Sequence, residues 1–317
     1  MRKALIVGID YYENAPLLHG CVNDAYSVKG VLDRNADGTI NFGTNILVAT
    51  NSNTIVTRKV LKDKVIELFD SDSEVSLFYF SGHGFLESTG GFLITSECKD
   101  GDDGFSMNEL LTIANNSKSQ SKVIIIDSCH SGQFGTPDIE DDKAILKEGI
   151  TILTASSANQ YAEEQNGSGI FTTLFVDALN GSAANLVGDI TPGSVYAHID
   201  QSLGPWEQRP IFKTNVKNFT TLRKVNPPIS LADLRRLTEL FQNPSDEFKL
   251  EPSYEPDSKD PNDENVDKFK TLQRYNRVNL VIPVGEEHMY YAAINSKSCK
   301  LTALGIHYWN LVKKDRI

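Results

Sequence analysis

Short apolar runs rich in β-branched residues alternate here with stretches of helical spacing, and this constrains the fold more than any other feature. KALIVGI, NILVAT, EVSLFYF and SKVIIID each read as a buried strand. Between them, CVNDAYSVKGVLD (21–33), TIVTRKVLKDKVIELFD and SMNELLTIANN read as helices, the second opened by Thr54 or Thr57 as N-cap. After the polar stretch GTPDIEDDKAILKEG (135–149) the pattern resumes with a strand ITILTAS, a helix GIFTTLFVDALNG and a last strand near RPIFKT. Such alternation predicts an α/β domain whose mainly parallel sheet is covered by helices on both faces. Ligands of such sheets bind beyond the carboxyl ends of the strands.

Asn226-Pro227-Pro228 breaks the pattern, and a domain boundary is expected there, with a first domain over 1–225 and an accessory domain over 226–317. In the latter, SLADLRRLTELFQ and VDKFKTLQRYNRV read as helices, NLVIPV and MYYAAINS as strands, and TALGIHYWNLVKK as a final helix. Helices, a two-stranded wing and a last helix suggest a small α+β domain of winged-helix type. A Pro- and acid-rich segment near 251–265 reads as a flexible linker.

A net charge of −11 argues against a protein built to grip phosphate backbones. Residues 227–317 carry 13 Lys and Arg against 14 Asp and Glu, which is not the basic footprint of a DNA binder. A protein contact or regulatory role suits that domain better. The four cysteines have no C-x-x-C spacing and read as free thiols in a reducing compartment. No run approaches the ~20 apolar residues that span a bilayer. MRKALIVGID reads as a first strand rather than a signal peptide, so a cytoplasmic protein without membrane association is expected.

The stretch KVIIIDSCHSG places Asp127, Cys129 and His130 together at a strand end. A base must come within hydrogen-bond reach of the sulfur. His130 follows the cysteine directly, and successive side chains point apart, so it is assigned to the turn. His83, in SGHG, ends the neighbouring strand and is the better partner; its flanking glycines let backbone approach a substrate closely.

YFSGHG followed by VIIIDSCHSG, with GCVNDA near the N-terminus, resembles the caspase-like cysteine peptidases, and within them the metacaspase and bacterial orthocaspase branch. ILTASSANQYAEE, GSGIFTTLFVDAL and QRP extend the resemblance through a small-subunit-like half, to about residue 222. His83 precedes Cys129 by 46 residues, near the roughly 50 of caspases. The resemblance implies a large-subunit-like part (1–135), a linker (136–149) and a small-subunit-like part (150–225). It further implies an endopeptidase with a His83–Cys129 dyad, an acyl-enzyme, and an oxyanion hole from the N–H groups of Gly84 and Cys129. No cofactor is required. Prokaryotic relatives are linked to stress, defence or regulated cell death. A catalytically idle adaptor and a DNA-binding regulator are the alternative readings.

A carboxylate beside a thiol opposes thiolate formation, so Asp127 needs another purpose. In the metacaspase pattern a pocket for a cationic side chain is formed by residues matching Asp127, Cys21, Asp24 and Ser81 here, which implies cleavage after Arg or Lys in protein substrates. True caspases carry an arginine beside the catalytic cysteine where this chain has His130. Asp100, Asp102 and Asp103 in SECKDGDDGF supply hard oxygen donors and are candidate Ca²⁺ ligands. Lys143 and Lys147 are candidate self-cleavage sites in the segment 133–149.

Overall fold

The structure, a computed structural model, describes residues 1–87, 90–128, 145–155, 164–165, 167–204 and 209–317. The apolar runs form β1 (Arg2–Ile9), β2 (Gly43–Ala49) and β3 (Val75–Ser81). The helices between them are α1 (Cys21–Leu32) and α2 (Arg58–Phe69). Thr57 is the N-cap of α2, its hydroxyl accepting the Val60 N–H at 3.3 Å. A small antiparallel sheet follows, of β4 (Gly84–Glu87), β5 (Gly90–Leu93) and β6 (Phe105–Ser106), and then α3 (Met107–Asn116). Next come β7 (Ser121–Asp127) and β8 (Ile150–Thr154). The two-residue strands β9 (Glu164–Gln165) and β10 (Ser168–Gly169) lead into α4 (Ile170–Asp177). β11 (Asp189–Ile190), α5 (Pro192–Ser202), β12 (Ile211–Asn215) and β13 (Arg223–Lys224) complete the first compact unit, residues 1–184 with 189–225.

The main sheet has the order β12-β8-β7-β3-β1-β2, parallel throughout except for β12, which runs antiparallel to β8. The expected α/β architecture with a mainly parallel sheet is therefore present. Alternation along each strand separates two cores. Leu77 and Tyr79 of β3 and Val123 and Ile125 of β7 pack with α1, α4 and α5 on one face. Phe78 and Phe80, with Ile124 and Ile126, pack with α2 and α3 on the other. Both faces being covered explains why these strands read as unbroken apolar runs rather than as alternating ones.

Residues 185–188 with 226–317 form a second compact unit. It contains α6 (Leu231–Arg235), α7 (Leu237–Leu240), β14 (Glu247–Lys249), α8 (Asp263–Arg277), β15 (Val281–Val284), α9 (Met289–Ile294), β16 (Ser298–Leu301) and α10 (Ala303–Lys313). Its three strands pair antiparallel in the order β14-β16-β15. MYYAAINS, expected as a wing strand, is helix α9. Met289, Ala292 and Ala293 are buried at helical spacing while Tyr290 and Tyr291 stay half exposed. The two-stranded wing expected of these two segments is thus replaced by strand, helix and strand. The segment expected to be a flexible linker holds a 3₁₀ turn, Pro252–Tyr254, and the start of α8, with Tyr254 buried edge-on against Phe248 and Phe269. Among the described residues no helix is long and apolar enough to cross a membrane.

Candidate active site

The β3–β7 register pairs Ser81 with Asp127, so the residues leading to His83 and to Cys129 leave the sheet side by side. Cys129 itself lies outside the described residues, as do His130 and Lys143. His83 is placed by two contacts. Its backbone N–H donates to the Tyr12 hydroxyl at 2.8 Å, and its ring lies 4.6 Å from the Tyr12 ring. Gly82 makes this possible, since a Cβ there would fall 2.6 Å from the same hydroxyl. The imidazole Nε2 is 2.8 Å from the Pro16 carbonyl oxygen. A carbonyl only accepts, so Nε2 carries the proton and, in the neutral ring, Nδ1 is left as the base. Neither Tyr12 nor Pro16 is marked by the sequence motifs.

Four residues singled out from the sequence converge next to this strand tip. Asp24, Ser81, Asp127 and Cys21 are all buried, Asp24 to 2% exposure and Asp127 to 5%. Ser81 donates to Asp24 Oδ2 at 3.1 Å, and the Gly169 N–H reaches the two Asp24 oxygens at 3.1 and 3.2 Å. Thr172 Oγ1 donates to Asp127 Oδ2 at 2.7 Å. That commits the Thr172 proton, so the contact between Tyr79 and Thr172 must use the Tyr79 proton. A directed chain therefore runs from Tyr79 through Thr172 to Asp127. A Cβ on Gly169 would lie 2.4 Å from Asp127 Oδ2 and 3.2 Å from Asp24 Oδ2, so both carboxylates flank one glycine. Asp10 anchors the other side of the recess by accepting the Cys21 and Val22 N–H groups at 2.9 and 3.3 Å, which pins the first turn of α1.

Two carboxylates this close and this dry repel. Burial first, and then the charge of Asp127, pushes the Asp24 carboxyl up to about 7, against the opposing hydrogen bonds from Gly169, Ser81 and Ser168. Burial, aided by the surrounding acids, holds the Cys21 thiol far above its ordinary range, which makes it an inert wall. The recess is therefore anionic, enclosed and incompletely ionised.

The other candidates are dispersed. Asp100, Asp102 and Asp103 share one 3₁₀ turn, where Asp103 Oδ2 takes the Asp100 N–H at 3.4 Å. Among the described residues no three His, Cys, Asp or Glu side chains gather to hold a metal ion. Lys147 is exposed, but its N–H is tied to Asn115 Oδ1 at 2.9 Å. Gly84 opens β4 directly after His83. Gly169, Thr172, Tyr79 and Asp10 also belong to the recess; the first three lie in stretches that carry the family resemblance, but the sequence assigns none of the four a place in the site.

Comparison with known proteins places the chain in a family. Residues 1–226 match the family model of the C14 peptidases, described as the caspase domain. Metacaspase-1 of Saccharomyces cerevisiae is 26% identical over 174 residues, covering 46% of this chain and 37% of the relative. The chain thus spans little more than a third of that relative's length. Among solved structures, protein GSU0716 from Geobacter sulfurreducens is similar with a TM-score of 0.53 at 15% identity, covering 71% of this chain and 99% of its own. Caspase-1 from Spodoptera frugiperda gives 0.51 at 13% identity, covering 71% and 90%. The matched region holds the whole six-stranded sheet, the His83 tip and the acidic recess, and by that match the chain belongs to the caspase-domain peptidase family.

Proposed function

We propose that the protein is a cysteine endopeptidase cleaving protein substrates after arginine or lysine, with Cys129 as nucleophile and His83 as general acid and base. The buried Asp24–Asp127 pair beside the His83 strand tip carries this reading, because a dry anionic recess there matches a guanidinium or ammonium group. His83 Nδ1 takes the thiol proton and the sulfur adds to the scissile carbonyl. The oxyanion is met by the N–H groups of Gly84 and Cys129. The imidazolium returns the proton to the leaving amine as the C–N bond breaks, leaving a thioester. Water, deprotonated by the same nitrogen, hydrolyses it and frees the thiol. The Pro16 carbonyl holds the ring in the required tautomer throughout. Nothing in these steps needs a metal, and equal turnover in EDTA and in added calcium is expected.

A panel of peptides that differ only in the residue before the scissile bond tests the reading. Cleavage after Arg and Lys is expected. Preferred cleavage after Asp would overturn it, and so would no cleavage at all with or without calcium. Gly169→Ala gives a second check. Its added methyl must push Asp127 or Asp24 aside, and because a displacement of about 1 Å costs on the order of 10²-fold, kcat/KM on basic peptides should fall by about that factor. Lys143 and Lys147 remain self-cleavage candidates, which the masses of purified wild type and Cys129→Ala would reveal.

A further inference from the structure

On the opposite side of His83 from the acidic recess lies a cleft of about 220 Å³. Its lining includes Pro16, His83, Phe85, Ile94 and Cys98, with Asn14, Lys99 and Asp100 as its polar members. We propose that this cleft is the subsite for the residue immediately after the scissile bond, and that it takes one uncharged aliphatic or aromatic side chain. The inference rests on the endopeptidase reading above and adds a second specificity element to it.

Three observations carry it. First, His83 is itself a wall of the cleft. The imidazole that protonates the leaving nitrogen lies against the residue bearing that nitrogen, so a cleft walled by the same ring is within reach of that residue's side chain. Second, the acidic cluster and the cleft lie toward opposite faces of the sheet. Asp24 is on α1, while Ser81 and Asp127 keep the alternation of Tyr79 and Ile125 and so face the α1 and α4 side. Ile94 and Cys98 belong to the core on the α2 and α3 side. Successive side chains of an extended peptide also point to opposite sides. A strand of substrate crossing the β3 tip with its basic side chain in the recess therefore sends the next one toward the cleft.

Third, the chemistry of the lining is apolar and uncharged in balance. Phe85 remains 38% exposed, an aromatic wall packed over Gly101. Lys99 and Asp100 stand exposed in the lining with opposite signs. A charged substrate side chain would lose water there without gaining a buried counterion, whereas Leu, Met or Phe would cover Phe85, Ile94 and Pro16.

Peptides with a constant arginine and a following Gly, Ala, Leu, Phe, Asp or Lys test the proposal. In wild type, kcat/KM for the Leu and Phe peptides should exceed that for Gly or Asp by about tenfold or more. A series flat within about twofold overturns it. An arginyl aminomethylcoumarin amide, which has no amino acid after the scissile bond, separates the two ideas. Its turnover beside a flat series rejects the cleft alone, whereas failure of every substrate rejects the endopeptidase reading and the cleft with it. In Phe85→Ala the Leu-over-Gly ratio should fall several-fold, and being a ratio within one enzyme it is insensitive to the folded fraction. Lys99→Glu, at an exposed position, should disfavour the Asp peptide and favour the Lys peptide. Unchanged ratios in both variants would place the subsite elsewhere.

Discussion

Replacing Cys129 with alanine is expected to lower kcat/KM on an arginyl amide by about 10⁴-fold or more, and His83→Ala to do nearly the same. The double variant should be no worse than either single one, because a nucleophile and its base act as one unit. No other thiol can stand in. Cys21, Cys98 and Cys299 are buried, and burial raises all three thiols above their ordinary range, leaving too little thiolate for attack near neutral pH. Iodoacetamide near pH 7 should consequently label Cys129 well ahead of the other three cysteines, a ranking that mass spectrometry of tryptic peptides reads directly. His83→Ala should slow that labelling as well, since the imidazole that draws the proton from sulfur is gone. Full turnover in Cys129→Ala would show that the chemistry resides elsewhere. Wild type that labels quickly but cleaves nothing would mark the chain as an idle adaptor with a preserved thiol.

The strand framework was legible because both faces of the sheet are buried. Runs such as VSLFYFS and KVIIID have no other reasonable home, and their ends brought His83 and the cysteine motif to one edge. The Asp24, Ser81 and Asp127 cluster was legible only through the family pattern, since nothing in local spacing joins position 24 to position 127. What stayed hidden is of two kinds. The Pro16 carbonyl acts through backbone, which a sequence does not display. Gly169 and Thr172 reach the recess from the start of α4, after a long excursion of the chain, and look locally like ordinary helix-entry residues. The error at MYYAAINS has a simple origin. Two adjacent tyrosines favour strand locally, but both are half exposed, and the apolar residues that decide the matter are the small ones, Ala292 and Ala293, with Met289.

Asp127→Asn should lower kcat/KM on arginyl and lysyl peptides by about 10²–10³-fold, mostly through KM, because removing one partner of a buried charge pair costs about 2–5 kcal/mol. The amide keeps the Thr172 contact through its carbonyl oxygen, so the loss reports charge rather than collapse of the recess. A peptide with methionine before the scissile bond should change far less, and an equal loss on both would sink the assignment of Asp127 to the cationic pocket. Asp24 adds a pH signature. With its carboxyl pushed up to about 7, it is largely protonated at pH 6 in the free enzyme and gains its full charge only above neutrality. KM for basic peptides should therefore fall as pH rises through about 7, and Asp24→Asn should flatten that dependence. The same group acts on stability with a defined sign. Its folded value lies above the unfolded value of 3.8, so the native state binds the proton more tightly. Stability is thus greatest below the unfolded value, declines as pH rises toward about 7, and is level beyond it. Thermal melts of wild type and Asp24→Asn should converge near pH 4 and diverge toward pH 8 in favour of the variant, and a gap that does not change with pH would mean that Asp24 is not held in a repulsive pair.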